Sequence, residues 1–271
     1  EAWGGLGALV WSALGPAFSE VPSLAREGVY EPLSQAMRTD PVGFAGLFLA
    51  MLAVWSVASA GVARSTAMET ARGQRLGLMA SLRYGLIGGR VAFAAMLLPL
   101  VIASILAMAA WGAASIAPWL TIVAFLISIV LVTLLALHTI AWAMIPPAVA
   151  CERTDAADAI QRVYAYILSV PLRALVYGAI VLAVSALAYL VLEFVLSTSA
   201  GLALSLGAVD ENSPPGRFVR AVTSILLSGY ALSLVFTSGA AVYLLLRRVC
   251  DEQDVTDVMI EPPGRLLRTQ D

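Results

Sequence analysis

The stretch VAFAAMLLPLVIASILAMAAWGAASIAPWLTIVAFLISIVLVTLLALHTIAWAMIPPAVAC, residues 91–151, contains no Asp, Glu, Lys or Arg. About 20 apolar residues of helix cross a 30 Å hydrocarbon core, so this run is too long for one crossing and right for two. Within lipid a backbone N–H must find its partner inside its own segment or in a closed barrel. A barrel needs alternating strands of about ten residues, and no such alternation is present. The run therefore reads as a helical hairpin. Its turn falls at 112–118, where Trp111 and Trp119 flank Gly112 and Pro118 and mark the head-group level. Pro99 should kink the first arm, and Pro146 and Pro147 should end the second.

Outward from the hairpin, three more segments are long, apolar and almost free of charge. The spans are expected at 42–62, 91–116, 118–145, 171–196 and 221–246, with a tail at 247–271. The composition agrees: 60% hydrophobic, 13% charged and mean hydropathy +0.88. A water-soluble domain carries about a quarter charged residues, so this chain has too little polar surface for an aqueous shell. The expected fold is all-α: one integral-membrane helical bundle over residues 1–271, with about five transmembrane helices and short cytoplasmic amphipathic helices. Residues 1–18 are apolar, short and Gly-rich, and read as an interfacial or partial sixth helix. No positively charged n-region of a signal peptide is seen in residues 1–30.

All 16 basic residues are Arg. A GC-rich genome accounts for this; contact with lipid phosphate is the functional alternative. Twelve of the sixteen fall in the 63–90 loop, the 146–170 loop, the tail or the adjoining span ends, and four on the other side. The positive-inside rule makes the first set cytoplasmic, and the N-terminal stretch and the 197–217 loop external. An external N-terminus without a signal peptide suggests a helix upstream of Glu1.

Two cytoplasmic surface helices are expected. Leu76, Met79, Leu82 and Leu86 form the apolar stripe of the first, accompanied by Arg72, Arg75 and Arg83. The second starts at a Thr154 or Asp155 cap, carries Ile160, Val163, Tyr164 and Ile167 on one face, and sets Asp158 and Arg162 for an i,i+4 pair. Its plain reading is a structural cover for the bundle; a docking surface is the alternative. AMETARGQRLGLMASLRYG (67–85), PAVACERTDAADAIQRVYAYILSVPLRAL (147–175) and YLLLRRVCDEQDVTDV (243–258) are the ordered motifs here. Through them the chain from about residue 45 onward resembles a group of conserved multi-span inner-membrane proteins of planctomycetes and related bacteria. That resemblance implies a helical bundle with both cytoplasmic elements, and no activity.

Candidates for chemistry are few. Glu193 is the acidic residue inside a span, and an intramembrane carboxylate is a functional candidate by default. Its position near the outer end favours a plain interfacial role. His138, the single His, lies in the inner half of the third span. It is the one candidate for ligating a pigment, haem or metal, although a hydrogen bond to a neighbouring helix is the commoner fate. One His excludes bis-histidine haem within this chain. Cys151 and Cys250 lack zinc or redox spacing and should be reduced. No H-E-x-x-H, G-x-S-x-G or Walker A motif occurs. Gly85 and Gly89 suit close helix packing, Ser56 and Ala60 an ordinary helix contact, and Ser197–Gly207 a short external helix.

Three functions follow in order: a non-catalytic membrane subunit or scaffold, a small-solute or lipid transporter, and a membrane enzyme. No catalytic residue, metal or cofactor beyond bound lipid is expected. Partners should be membrane lipids, other membrane subunits or a second copy. Net charge of −2 gives no basic face for nucleic acid.

Overall fold

The computed structural model describes residues 31–152, 154–207, 209–210 and 212–254. The expected helix in residues 1–18, Arg153 and the tail beyond residue 254 lie outside the described residues. The chain divides into two compact units, Glu1–Leu52 and Ala53–Asp271.

Among the described residues the fold is all-α. Its helices are α1 (Glu31–Thr39), α2 (Pro41–Arg72), α3 (Leu78–Ile116), α4 (Thr121–Ala141), α5 (Ile145–Glu152), α6 (Ala156–Ser169), α7 (Pro171–Leu206) and α8 (Pro214–Cys250). A 3₁₀ turn, Pro118–Leu120, joins α3 to α4. Five helices are long and apolar enough to cross a membrane: α2, α3, α4 with its preceding turn, α7 and α8. The chain is a multi-pass helical membrane protein.

In the first unit, Asp40 stands between α1 and α2 and its carboxylate accepts from Gly43 N at 2.8 Å, capping α2. In the second unit, α3 pairs with α4 and α7 with α8, while the short helices α5 and α6 contact both pairs. The expected hairpin turn is confirmed at Ala117, with Trp111 and Trp119 exposed on its flanks. Gly85 and Gly89 pack as expected. A Cβ on Gly85 would lie 2.4 Å from Val57 O, and one on Gly89 3.0 Å from Val57 Cα. Ser56 and Ala60 are fully buried, and the Ser56 hydroxyl points to Met96 Sδ at 3.8 Å.

Several boundaries differ from expectation. The amphipathic stretch around 76–86 is no separate surface helix: its residues from Leu78 on are the opening turns of α3, which continues unbroken to Ile116 through Pro99. No Pro separates Leu78 from Val91, and continuing a helix adds one hydrogen bond per residue without a new nucleus. The third span ends at Ala141, short of 145. Pro146 and Pro147 then begin a helix instead of ending one: they occupy the first turn of α5, where a backbone N–H has no helical partner to lose. Ser197–Gly207 is likewise no independent element, because α7 runs on to Leu206. Ser213 caps α8 by accepting from Gly216 N, so 213–216 starts that helix and closes no element before it.

Candidate functional site

The polar groups of the second unit gather at the end that holds α5, α6 and the last turns of α8, the Arg-rich end. The bridge from α4 to α5 makes this possible. Trp142 N still bonds to His138 O at 2.8 Å and Met144 N to Ala141 O at 2.8 Å. The chain then re-enters helix at Ile145. Residues Ile145–Cys151 are all buried, so α5 carries Glu152 into the interior between α6 and α8.

Glu152 is the hub, with its side chain only 9% exposed. Its carboxylate accepts from the Tyr243 hydroxyl and pairs with the Arg162 guanidinium. Arg247 Nε stands 3.4 Å from the same carboxylate and donates to Gln253 Oε1 at 2.6 Å. Beside this pair, the Tyr166 hydroxyl donates to Asp251, whose carboxylate lies 3.9 Å from Arg162. Two guanidinium groups thus face two carboxylates. A buried ion needs both an opposite charge and hydrogen bonds to offset its lost hydration, and the Glu152 carboxylate has both. On the far side of α5, Arg64 Nη1 donates to Ala150 O at 2.9 Å. The Tyr84 hydroxyl reaches the same carbonyl at 3.3 Å, and the Arg64 guanidinium sits 5.2 Å over the Tyr84 ring.

This environment sets proton affinities. Burial pushes the Cys151 thiol up to about 12, with the nearby Arg247 and Arg64 opposing the shift. Burial also raises Tyr166, and its bond to Asp251 adds to the effect. Burial alone moves Tyr164 up to about 12. These groups keep their protons at neutral pH, the opposite of what an activated nucleophile needs.

The two residues singled out from sequence lie apart from this cluster and from each other. His138, in the last turn of α4, is buried and shares a 3.0 Å hydrogen bond with the Tyr164 hydroxyl of α6. Its ring meets Trp142 edge-on at 5.3 Å. Trp142 in turn meets Trp55, which stacks edge-on with Phe236 at 5.6 Å. Glu193 is half-buried on α7 and has no hydrogen bond or ion pair with any described residue. It lies 22 residues beyond Pro171, about 33 Å along the helix and away from the Arg-rich end. No group of three or more His, Cys, Asp or Glu able to hold a metal occurs among the described residues.

The Asp155 cap is as expected, accepting from Asp158 N at 2.9 Å. Val163 and Ile167 are buried, and Ile160 and Tyr164 half-buried. The expected Asp158–Arg162 pair does not form, because Arg162 turns to Glu152 and Asp251. Sequence reasoning missed Glu152, Tyr166, Tyr243 and Asp251. A faint signal existed in the charges that crowd Cys151–Asp158 and Arg247–Asp254, the two segments that the structure brings together. Compared with family models, curated proteins and solved structures, the chain matches none.

Proposed function

We propose that this membrane protein is a non-catalytic integral subunit or scaffold of a larger assembly. We place it in the bacterial inner membrane with the Arg-rich end in the cytoplasm. One observation carries the reading: the Glu152 carboxylate is occupied by Tyr243, Arg162 and Arg247. The most acid-base-rich cluster among the described residues is thereby spent on joining α5, α6 and α8. A second feature supports it. No residue in the most apolar 18-residue stretch of α7 is buried, so that helix offers a long face to lipid or to another subunit. Twelve arginines against four supports the orientation.

Purification from native membranes in mild detergent tests the proposal. A discrete complex larger than the chain, with defined partner proteins, is the expected result. A monomer without co-purifying protein would overturn it.

A small-solute or lipid transporter is the second reading. It draws on a cavity of about 650 Å³ between α4, α7 and α8, walled by apolar residues such as Ile140, Leu182 and Leu234. Its lining also holds Thr139, Tyr189 and the 2.7 Å hydroxyl pair of Ser185 and Ser238. Substrate-dependent flux in reconstituted vesicles, abolished by Ser238→Leu, would put this reading first.

A further inference from the structure

At the Arg-rich end a second cavity, of about 610 Å³, opens beside the first turns of α3. That volume lies in the range of small-ligand sites. Met79, Arg83, Ile87 and Val91 line it at four-residue steps, which places them in one row along the helix. From Arg83 to Val91 the row descends about 12 Å. Arg83 thus marks its polar end, and Val91 the start of the stretch without charge. Across the cavity stand Arg64 and Thr154.

Three features of the lining ask for an anion with an apolar tail. Among the described residues two arginines line the cavity and no carboxylate does. Arg83 is exposed and makes no ion pair with any described residue. The Thr154 hydroxyl is shut off from water and has no hydrogen-bond partner among the described residues. A buried hydroxyl left unpaired is costly, and native structures almost always supply a partner. Guanidinium suits phosphate oxygens, which accept from it in a planar, two-pronged fashion. Below the polar end, Ile87 and Val91 offer acyl-chain contact at the depth where a lipid tail begins.

We propose that this cavity binds one anionic phospholipid. Its phosphate is held by Arg83 and Thr154, and one acyl chain lies along Ile87 and Val91. The site rests on the membrane-spanning fold alone and holds whether the chain is a scaffold or a transporter.

The test uses the full chain, purified and delipidated in a neutral detergent. Phosphatidylglycerol, phosphatidylcholine of the same chain length, and glycerol phosphate are each titrated. Retained lipid is counted by native mass spectrometry, and stabilisation is read as the shift in melting temperature. Phosphatidylglycerol should bind at least about fivefold more tightly than phosphatidylcholine, the margin expected of one arginine near a lipid surface. Arg83→Gln should remove most of that preference. Arg75→Gln should not, because Arg75 pairs with Glu69 at 2.8 Å outside the cavity. Thr154→Val should weaken phosphatidylglycerol retention without lowering the melting temperature of the lipid-free protein. Equal retention of the two lipids, or a preference unmoved by Arg83→Gln, would overturn the proposal. So would full stabilisation by glycerol phosphate alone, which would make the cavity a site for free anions.

Discussion

The hydroxyl of Tyr243 on α8 donates to the carboxylate of Glu152 at the end of α5, bridging 91 positions of sequence. The same carboxylate holds Arg162 and Arg247. Removing one partner of a buried ionic group costs more than removing a neutral one, because the remaining charge is stranded. Glu152→Gln should therefore destabilise by roughly 3 kcal/mol, the low end for buried pairs since Arg162 reaches water. Tyr243→Phe should cost about 1–2 kcal/mol. Thermal or denaturant unfolding in detergent checks the ranking, and equal effects would show that the charge is compensated from elsewhere.

Helix contacts give a second ranking. A Cβ on Gly239 would lie 1.9 Å from Ala143 O, against backbone that cannot swing aside. Gly239→Ala should destabilise by about 3 kcal/mol or more, the upper range of overpacking. Around Gly178 and Gly229 an added Cβ meets nothing. Ala there should be neutral or stabilising by up to about 1 kcal/mol, its advantage over Gly within a helix. Folded yield in detergent separates these cases directly.

Thiol chemistry gives a third. Cys250 is half-buried and Cys151 fully buried, and both are free. At pH 8 a maleimide should label Cys250 in the folded protein and reach Cys151 only after unfolding. The folded-state pKa of Cys151 is raised from 9.0 to about 12. Its contribution to stability is complete below pH 9 and is lost as the pH climbs from 9 toward 12, because the unfolded chain releases the proton first. Within that window the loss is at most about 1.4 kcal/mol per pH unit. Cys151→Ala should flatten the decline. An unchanged alkaline slope would assign it to other groups.

Orientation can be read with introduced cysteines in a background lacking Cys151 and Cys250. Asp158→Cys on α6 should resist an impermeant thiol reagent in intact cells, and Asn212→Cys before α8 should react. The reverse pattern would invert the proposed orientation.

The spans were legible because hydrocarbon thickness sets a length that composition must meet, and Val91–Cys151 meets it twice. Trp111, Trp119 and the Asp155 cap were legible for equally local reasons. What escaped was decided over distance. Spacing places Asp158 four residues before Arg162, yet a carboxylate out of water attracts a guanidinium more strongly than one facing solvent. Glu152 therefore takes Arg162. Periodicity reports which face of a helix is apolar and does not name the partner, so neither Tyr243 nor Asp251 could be assigned to this cluster. Helix ends were misplaced where polarity was read as a stop. Arg83 and Arg90 mark where α3 leaves the hydrocarbon, and a helix needs no membrane to continue.

The position of Glu152's partners also sets an order in time. Synthesis delivers α5 and Arg162 long before Tyr243 and Arg247, which lie in the closing turns of α8. Until α8 is made and inserted, the acid has only part of its complement. A nascent or truncated chain lacking residues 243–251 would carry the hydrophobic spans but leave the acid short of two donors. Closure of the cluster thus waits for α8, and a copy that stops short of that helix differs from one that includes it by an incompletely satisfied acid that cellular quality control can act upon.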